Sequence, residues 1–348
     1  MRRAVETKRK TRSDAGGAGA PSGGGDEHGA PLAAGPGTNG TGDLSEPPDP
    51  AVKADTVIRR GPVQRTGRRG WAGRFRANGA GMVGLVGVLL VVIVALGAPL
   101  LAPHDPARQY FDGLTLQGDP LPPSGRFLIG TDLLGRDLLS RVLYGARVSL
   151  LVGVVANGAA VLIGLVVGVM AGYARGWTET VLMRLTDIMT AFPALILAIA
   201  LAAILRPSLW IVALVIALVN WVWIARAIYA QVLSIAKRDF VEAAGALGVR
   251  PMRTLTRHVL PHLISTLMVF GTLGISTTVL LEASLSFLGV GVQPPTPSWG
   301  GIINESQSYF LDAPWLVVFP GAAILLTSLS FNLLGEALRD ALDLAERR

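Results

Sequence analysis

Apolar residues are concentrated in six long runs that begin after about residue 80 of the 348-residue chain. Because a helix needs about twenty apolar residues to cross the hydrocarbon of a bilayer, each run predicts a transmembrane helix. The predicted spans are residues 81–102, 148–173, 186–205, 209–229, 263–288 and 315–334. Half of the residues are hydrophobic and 16% are charged, a balance that favours a membrane solvent over water. The pattern therefore predicts an all-α polytopic membrane protein with six transmembrane helices.

The first 75 residues have a different composition, dominated by Gly, Ala, Pro, Ser and charged residues. Such a stretch buries too little apolar area to offset the entropy of the chain, so residues 1–75 are predicted to form a disordered tail. No apolar run follows the early basic residues, which argues against a secretory signal peptide.

Basic residues predict the orientation, because positively charged loops tend to remain in the cytoplasm. They precede the first span and recur in residues 175–184, 237–261 and 339–348, so these parts and both termini are predicted to be cytoplasmic. The first helix, residues 76–102, is then followed by an external region, residues 103–147, and by a core of five helices, residues 148–338. The external region is an exception to the charge rule, since it contains Arg126, Arg136, Arg141 and Arg147.

Small residues recur every four positions in the second predicted span. Such a stripe lets two helix backbones approach closely, which favours helix association in lipid. The stripe consists of Ala156, Ala160, Gly164, Gly168 and Gly172. Pro193 in the third span and Pro320 in the sixth are expected to bend their helices.

Polar residues within the spans are candidates for a translocation pathway, because burying them in lipid is costly unless they meet partners or water. Asn157, Asn220 and Glu282 are such residues. Trp299 belongs to a Pro-rich and aromatic connection, residues 289–314, that is expected to fold back toward the mouth of the pathway. Hydrogen bonds between helices and an ordinary structured loop are the alternatives for these residues.

A charged segment interrupts the apolar pattern at residues 237–261. Glu242 to Leu247 favour a helix, Gly248 suits the left-handed residue after a helix, and Pro251 can open a second helix. Two short helices with a sharp turn are predicted, with an apolar edge of Val241, Ala244 and Leu247 offered to a soluble partner.

Specific motifs in and around this segment resemble those of ABC importer permeases. Glu242-Ala243-Ala244, then Gly248, then His258-Val259-Leu260-Pro261 are similar to the EAA loop of that family, although the general pattern has an aliphatic residue at the position of His258. Matches to the dipeptide, oligopeptide and nickel branch, of its second-permease type, cover nearly all of the chain beyond residue 75. They include Gly130-Thr131-Asp132 with Gly135-Arg136-Asp137, Asp187-Ile188-Met189, Leu285-Ser286-Phe287-Leu288-Gly289 and Pro297-Ser298-Trp299-Gly300.

The resemblance implies a type I ABC importer permease fold in a bacterial cell membrane. It implies that the EAA loop couples the permease to ATPase subunits, through Glu242, Ala243, Ala244, Leu247, Gly248, Arg250 and Pro261. The implied partners are a second homologous permease, two cytoplasmic ATPases, an external substrate-binding protein and membrane lipid. ATP and magnesium are expected on the ATPases, with no cofactor in this chain. Di- and oligopeptides lead among the substrates, with nickel, δ-aminolevulinate or glycosides as alternatives.

Other functional classes have less support in the sequence. No Walker A pattern occurs, so this chain is not expected to bind ATP. With no cysteine and four scattered histidines, the sequence predicts no metal site. The net charge of +7 lies at predicted membrane flanks, which gives no reason to expect a nucleic-acid partner. A membrane enzyme would need a catalytic constellation that the sequence does not display, and a passive channel is a weaker alternative.

Overall fold

The computed structural model describes residues 71–205 and 208–346, and the predicted tail lies outside them up to residue 70. Within the described residues the fold is helical, with two isolated β-bridges and no β-strand. The α-helices are α1 (Trp71–Ala77), α2 (Gly79–Leu101), α3 (Leu138–Ala174), α4 (Trp177–Thr190), α5 (Ala194–Ile204), α6 (Leu209–Ile235), α7 (Asp239–Ala246), α8 (Pro251–Thr254), α9 (Leu260–Phe287), α10 (Trp299–Glu305) and α11 (Trp315–Glu346).

Five of the helical segments are long and apolar enough to cross a bilayer, and they contain α2, α3, α6, α9 and α11. The pair α4 and α5 passes the same test as one unit, which gives up to six spans within the described residues. The predicted polytopic helical class is confirmed.

The third predicted span, residues 186–205, is not a single straight helix. Its residues are divided between α4 and α5, whose axes differ by 90°. Pro193 lies at the break and precedes the first residue of α5, as expected of a residue that cannot donate within a helix. The sequence pattern predicted the position of the bend, but it did not predict that α4 begins nine residues before the span.

Helix α3 is the longest element of the described chain, at 37 residues. It begins ten residues before the predicted second span, because the Asp137 carboxylate caps its first turn by accepting a hydrogen bond from the Ser140 amide at 3.0 Å. At about 1.5 Å per residue the helix is roughly 55 Å long, more than the thickness of a bilayer. One end of α3 therefore projects beyond the hydrocarbon.

The stripe of small residues on α3 lies at a close helix–helix contact, as predicted, and the structure identifies α6 as the partner helix. All five residues of the stripe are buried. A Cβ atom added to Gly168 would lie 2.8 Å from Ile228 Cβ, and one added to Gly172 would lie 2.9 Å from Val232 Cβ. The two backbones are thus as close as glycine allows, and they hold the centre of the bundle together.

The connection between α2 and α3, residues 102–137, is compact and almost free of helix. His104, Tyr110 and Phe127 form an aromatic cluster with ring centroids 5.3 to 5.7 Å apart. The Leu138 amide donates to the Gly130 carbonyl at 3.1 Å, and the His104 amide donates to the Ser140 hydroxyl at 3.1 Å. These contacts attach the connection to the first turn of α3.

Candidate functional site

The segment between α6 and α9 has the predicted helix–turn–helix form. Gly248 has a φ of +74°, which a residue with a side chain rarely adopts. Its amide donates to Gly245 O at 3.0 Å, and the Val249 amide donates to Ala244 O at 3.0 Å, which closes the C-terminus of α7. Pro251 occupies the first turn of α8. We call residues 247–250 the α7–α8 turn.

The faces of α7 differ from the prediction in one respect. Leu247 is 83% exposed, whereas Ala244 is 9% exposed and Val241 packs against the apolar core beneath the segment. The predicted apolar edge of Val241, Ala244 and Leu247 is therefore wrong for the first two residues. The helix begins at Asp239, and Val241 packs against the core cluster while Ala244 is buried.

Several predicted coupling residues remain accessible. Glu242, Ala243, Gly248, Arg250 and Pro261 are exposed, as is Leu247. A groove of about 650 Å³ runs along the turn and α8, lined by Leu247, Gly248, Val249, Arg250, Met252, Arg253 and Thr256. The segment thus presents an apolar knob, two arginines and a concave surface.

Three contacts hold this segment in place. The Phe240 ring lies 6.2 Å from the His258 ring and 5.8 Å from the His262 ring, measured between centroids. The Tyr173 hydroxyl, near the end of α3, donates to the Pro251 carbonyl at 2.9 Å. Between α8 and α9 the backbone forms one π-helical turn, Leu255–Val259, an irregularity that is frequent at functional sites.

A cavity of about 600 Å³ lies among α3, α6, α9 and α11. Its lining is mainly amide, hydroxyl and apolar side chains, with a single charged residue, Arg339. Asn157 and Asn220 line it, together with Trp223, Ile224, Gln231, Ser265, Thr266, Val269, Phe270, Leu273, Gly274 and Thr277. Both asparagines predicted from the sequence are therefore brought together in one cavity.

The polar groups of the cavity also join its helices. Asn157 on α3 donates through Nδ2 to the carbonyls of Phe270, at 3.3 Å, and Gly271, at 2.9 Å, on α9. Asn220 Nδ2 on α6 donates to Thr278 Oγ1 at 3.4 Å. A side chain at Gly274 would collide with Asn157, so the glycine makes room for the amide. Asn157 is therefore a buried residue, 3% exposed, that joins α3 to α9 at the wall of the cavity.

Glu282 and Trp299, the other two predicted pathway residues, do not line this cavity. Glu282 is completely buried, and its carboxylate accepts hydrogen bonds from the Ser149 and Ser286 hydroxyls, both at 2.8 Å. Trp299 is 2% exposed and donates from Nε1 to the Val142 carbonyl at 3.0 Å. In this structure both residues join α3 to α9 and α10.

A buried network of charges, which the sequence did not predict, joins the α2–α3 connection to α10. Asp132 Oδ2 accepts from Arg136 Nε and from Arg141 NH1, both at 2.6 Å. Glu305 Oε2 accepts from the NH2 atoms of the same two arginines, both at 2.9 Å. The arginines are 5% and 2% exposed, so each is compensated within the protein.

Three of the four arginines named as an exception to the charge rule have acidic partners in the structure. Arg136 and Arg141 are neutralised by Asp132 and Glu305, and Arg126 pairs with Asp112 at the surface. The aspartates that share this region with the arginines were a local sign in the sequence of such ion pairs. The partner Glu305 could not be found in this way, because it lies 169 positions from Arg136 and 164 from Arg141.

Within the described parts of the chain, no group of three or more His, Asp or Glu side chains could hold a metal ion.

The fold and the site define a multi-pass helical membrane protein with a mostly uncharged polar cavity among its spans and a protruding helical turn between two of them.

Comparison with known proteins places this architecture in a family. Residues 164–348 match the family model of the binding-protein-dependent transport system inner membrane component, and residues 67–123 match the N-terminal TM domain of oligopeptide transport permease C. The glutathione transport system permease protein GsiD of Escherichia coli O157:H7 is 42% identical over 84% of this chain and 93% of its own length. The di/tripeptide transport system permease protein DppC of Pseudomonas aeruginosa is 42% identical over 77% of this chain and 89% of its own length.

A solved structure of the MetNI methionine ABC transporter in an inward facing conformation has a similar fold. The TM-score is 0.50 at 19% identity, over 59% of this chain and 97% of that one. The chain belongs to the family of binding-protein-dependent inner membrane components, the permease subunits of ABC importers. It is a transport subunit of the bacterial inner membrane and not itself an enzyme.

Proposed function

We propose that this chain forms half of the translocation pathway for di- and oligopeptides in an ATP-driven importer. A second homologous permease forms the other half, two cytoplasmic ATPase subunits bind ATP and magnesium, and an external binding protein delivers the substrate. Both termini lie in the cytoplasm, as do the segment 237–261 and the tail from residue 339. The observation that carries the proposal is the exposed α7–α8 turn in a permease of this family.

The α7–α8 turn is the proposed docking point for an ATPase subunit. Leu247 is a protruding apolar side chain of the kind that fills a partner's groove. Exposed Glu242 and Arg250 lie at either side of it and can make polar contacts, while Ala243 and Gly248 permit close approach. Buried Ala244, and Pro261 in the first turn of α9, hold the segment in position.

We propose that the cavity among α3, α6, α9 and α11 forms part of the translocation pathway. Its volume of about 600 Å³ lies in the range of about 300–1,000 Å³ that is usual for small-molecule sites. Neutral amides and hydroxyls such as Asn157, Asn220 and Gln231 can hydrogen-bond the amide groups that all peptides share. Apolar neighbours such as Trp223 and Phe270 can accommodate varied side chains. The names of the two relatives, which refer to glutathione and to di/tripeptides, favour the same substrate class.

Glu282 and Trp299 are proposed to support the pathway from its outer side. Glu282 fixes α9 to α3 through Ser149, and Trp299 fixes α10 to α3 through the Val142 carbonyl. Residues 103–147 are proposed to be external, so that they include the first ten residues of α3, and the five-helix core, residues 148–338, is proposed to follow them.

Docking can be tested by co-purification of the ATPase subunits with the full complex. Leu247→Asp places a charge where an apolar contact is proposed, and we expect at least a ten-fold loss of bound ATPase. Leu311→Asp is the matched control, because Leu311 is similarly exposed, at 88%, in the connection after α10. Retention of the ATPases by Leu247→Asp at the control level would refute the docking point.

The substrate can be tested by uptake into proteoliposomes that contain the complex, the binding protein and internal ATP. Radiolabelled dipeptide, glutathione and nickel ions are compared side by side. The proposal expects saturable, ATP-dependent uptake of at least one of the two peptides. Uptake of nickel without either peptide would establish the alternative substrate instead.

A further inference from the structure

We propose that Tyr173 is the positioning residue that transmits movement of the α7–α8 turn to helix α3. This inference rests on the proposed docking of an ATPase at that turn. The Tyr173 hydroxyl donates to the carbonyl of Pro251, the first residue after the turn, at 2.9 Å. The bond thus joins the proposed docking point to a helix that is not its neighbour along the chain.

The other attachments of the segment reach mainly the helices that flank it. Phe240 contacts His258, in the π-helical turn before α9, and His262, in the first turn of α9. Such contacts let the segment move together with α9. The bond from Tyr173 adds a direct link to α3, which is otherwise connected to the segment through its packing on α6, so displacement of Pro251 would act on α3 and α9 at once.

Helix α3 makes contacts along its whole length, from the α7–α8 turn to the external charge network. Counted from Tyr173, Asn157 lies 16 residues away at the cavity, Ser149 lies 24 away at Glu282, and Arg141 lies 32 away at the external charge network. At about 1.5 Å per residue these positions are roughly 24, 36 and 48 Å from Tyr173 along the axis. A rigid shift of α3 would therefore reach the cavity and the outer network together.

The packing of α3 favours movement as a rigid body. The glycines at 164, 168 and 172 seat α3 on Ile224, Ile228 and Val232 of α6 with almost no free space. A closely packed pair is displaced as a unit more readily than it is deformed, because packed interfaces resist continuous compression. Gly172, beside Tyr173, places the inner end of this contact next to the hydrogen bond.

The test reports the conformation of the cavity without requiring a known substrate. The natural chain has no cysteine, so Thr277→Cys gives it a single reactive thiol at an exposed position on the cavity. The full complex in proteoliposomes is labelled with a water-soluble fluorescent maleimide, with no nucleotide or with Mg-ATP and vanadate. The signal is the ratio of the two labelling rates in the band of this subunit. Leu116→Cys in the α2–α3 connection, which is fully exposed, controls for access of the reagent.

We expect Tyr173→Phe to reduce the nucleotide-dependent ratio about two- to ten-fold, the change in an equilibrium constant that the loss of one neutral hydrogen bond produces. The ATPases should co-purify in the wild-type proportion, because the exposed face of the turn is unchanged. Tyr229→Phe is the matched control, since the Tyr229 hydroxyl joins α6 to Glu179 on α4 at 2.5 Å and does not contact the turn. It should retain the wild-type ratio.

The results separate this inference from the proposed docking. A wild-type ratio in Tyr173→Phe, while Leu247→Asp releases the ATPases, would overturn the role of Tyr173 alone. Release of the ATPases by Tyr173→Phe would also overturn it, because the tyrosine would then shape the docking surface and not transmit its movement. If Leu247→Asp keeps both the ATPases and the ratio, the docking point itself is wrong.

Discussion

Arg141 on α3 and Glu305 on α10 are joined by a hydrogen bond of 2.9 Å, although they are 164 positions apart in the chain. Arg136 contacts the same Glu305 oxygen, and both arginines also contact Asp132. Two guanidinium groups and two carboxylates therefore form a closed ring. Because the ring is largely withdrawn from water, each charge depends on the others for compensation.

Replacement of Arg141 by methionine should destabilise the protein strongly. Asp132 is 3% exposed and would lose one of its two cationic partners, and removing one member of a buried ion pair costs about 3–5 kcal/mol. Thermal unfolding of the protein in nanodiscs measures the effect. Arg126→Met is the control, since Arg126 and Asp112 are more than half exposed and such pairs contribute about 0–1 kcal/mol. Equal losses in the two variants would contradict a special role for the buried ring.

Glu305 should make stability depend on pH in a definite direction. Burial raises the pKa of the Glu305 carboxyl above its ordinary value, although the Arg136 guanidinium opposes the shift. The folded state then binds a proton more readily than the unfolded state, so the contribution of Glu305 is fully present below the ordinary pKa. It is lost as the pH rises through the raised value.

Glu305→Gln removes this titration. Between pH 4 and 7 the wild type should therefore lose stability relative to Glu305→Gln as the pH rises, as measured by thermal unfolding in nanodiscs at constant ionic strength. The difference between the two proteins is the relevant quantity, because it cancels the titration of all other groups. A difference that is constant or that changes in the opposite direction would show that the arginines outweigh burial.

The features predicted from sequence are those that local rules determine. Apolar run length located the spans, and the stripe from Ala156 to Gly172 identified the face of α3 that packs on α6. Gly248 and Pro251 specified the α7–α8 turn, because a left-handed residue and a fixed φ have few alternatives.

The features that were missed depend on contacts between distant parts of the chain. Nothing near Glu305 indicates that it will meet Arg136 and Arg141. Val241 and Ala244 were wrongly predicted to face a partner. The sequence of so short a helix does not show which side packs on the rest of the protein, because that depends on contacts with distant residues. Helix α3 begins at Leu138, ten residues before the predicted span, because Asp137 caps its first turn. This cap is a short-range signal in the sequence, but the span was predicted from apolar residues alone.

Close packing of α3 on α6 predicts a sharp contrast between two glycines of the same helix. A Cβ at Gly168 would lie 2.6 Å from the Ala225 carbonyl oxygen, so Gly168→Ala must push the helices apart, at about 1–3 kcal/mol. A Cβ at Gly158 meets nothing within 4 Å, so Gly158→Ala should be neutral or stabilising by up to about 1 kcal/mol. Thermal unfolding of both variants in nanodiscs gives the comparison, and similar values would show that the helices can separate without cost.

Asn157 tests whether the cavity is part of the pathway or only a gap between helices. Asn157→Leu removes the hydrogen bonds to the Phe270 and Gly271 carbonyls and makes the lining apolar. The lost bonds should lower stability by about 1 kcal/mol each. If the cavity is part of the pathway, ATP-driven uptake of the transported peptide should fall at least ten-fold per assembled complex, because the proposed polar contact with the peptide is removed.

Asn332→Leu on α11 is the control, since Asn332 does not line the cavity. It should leave uptake per complex near the wild-type value. The decisive quantity is uptake divided by the amount of assembled complex. If that ratio is unchanged in Asn157→Leu while the yield of complex falls, Asn157 only joins α3 to α9, and the pathway must pass elsewhere.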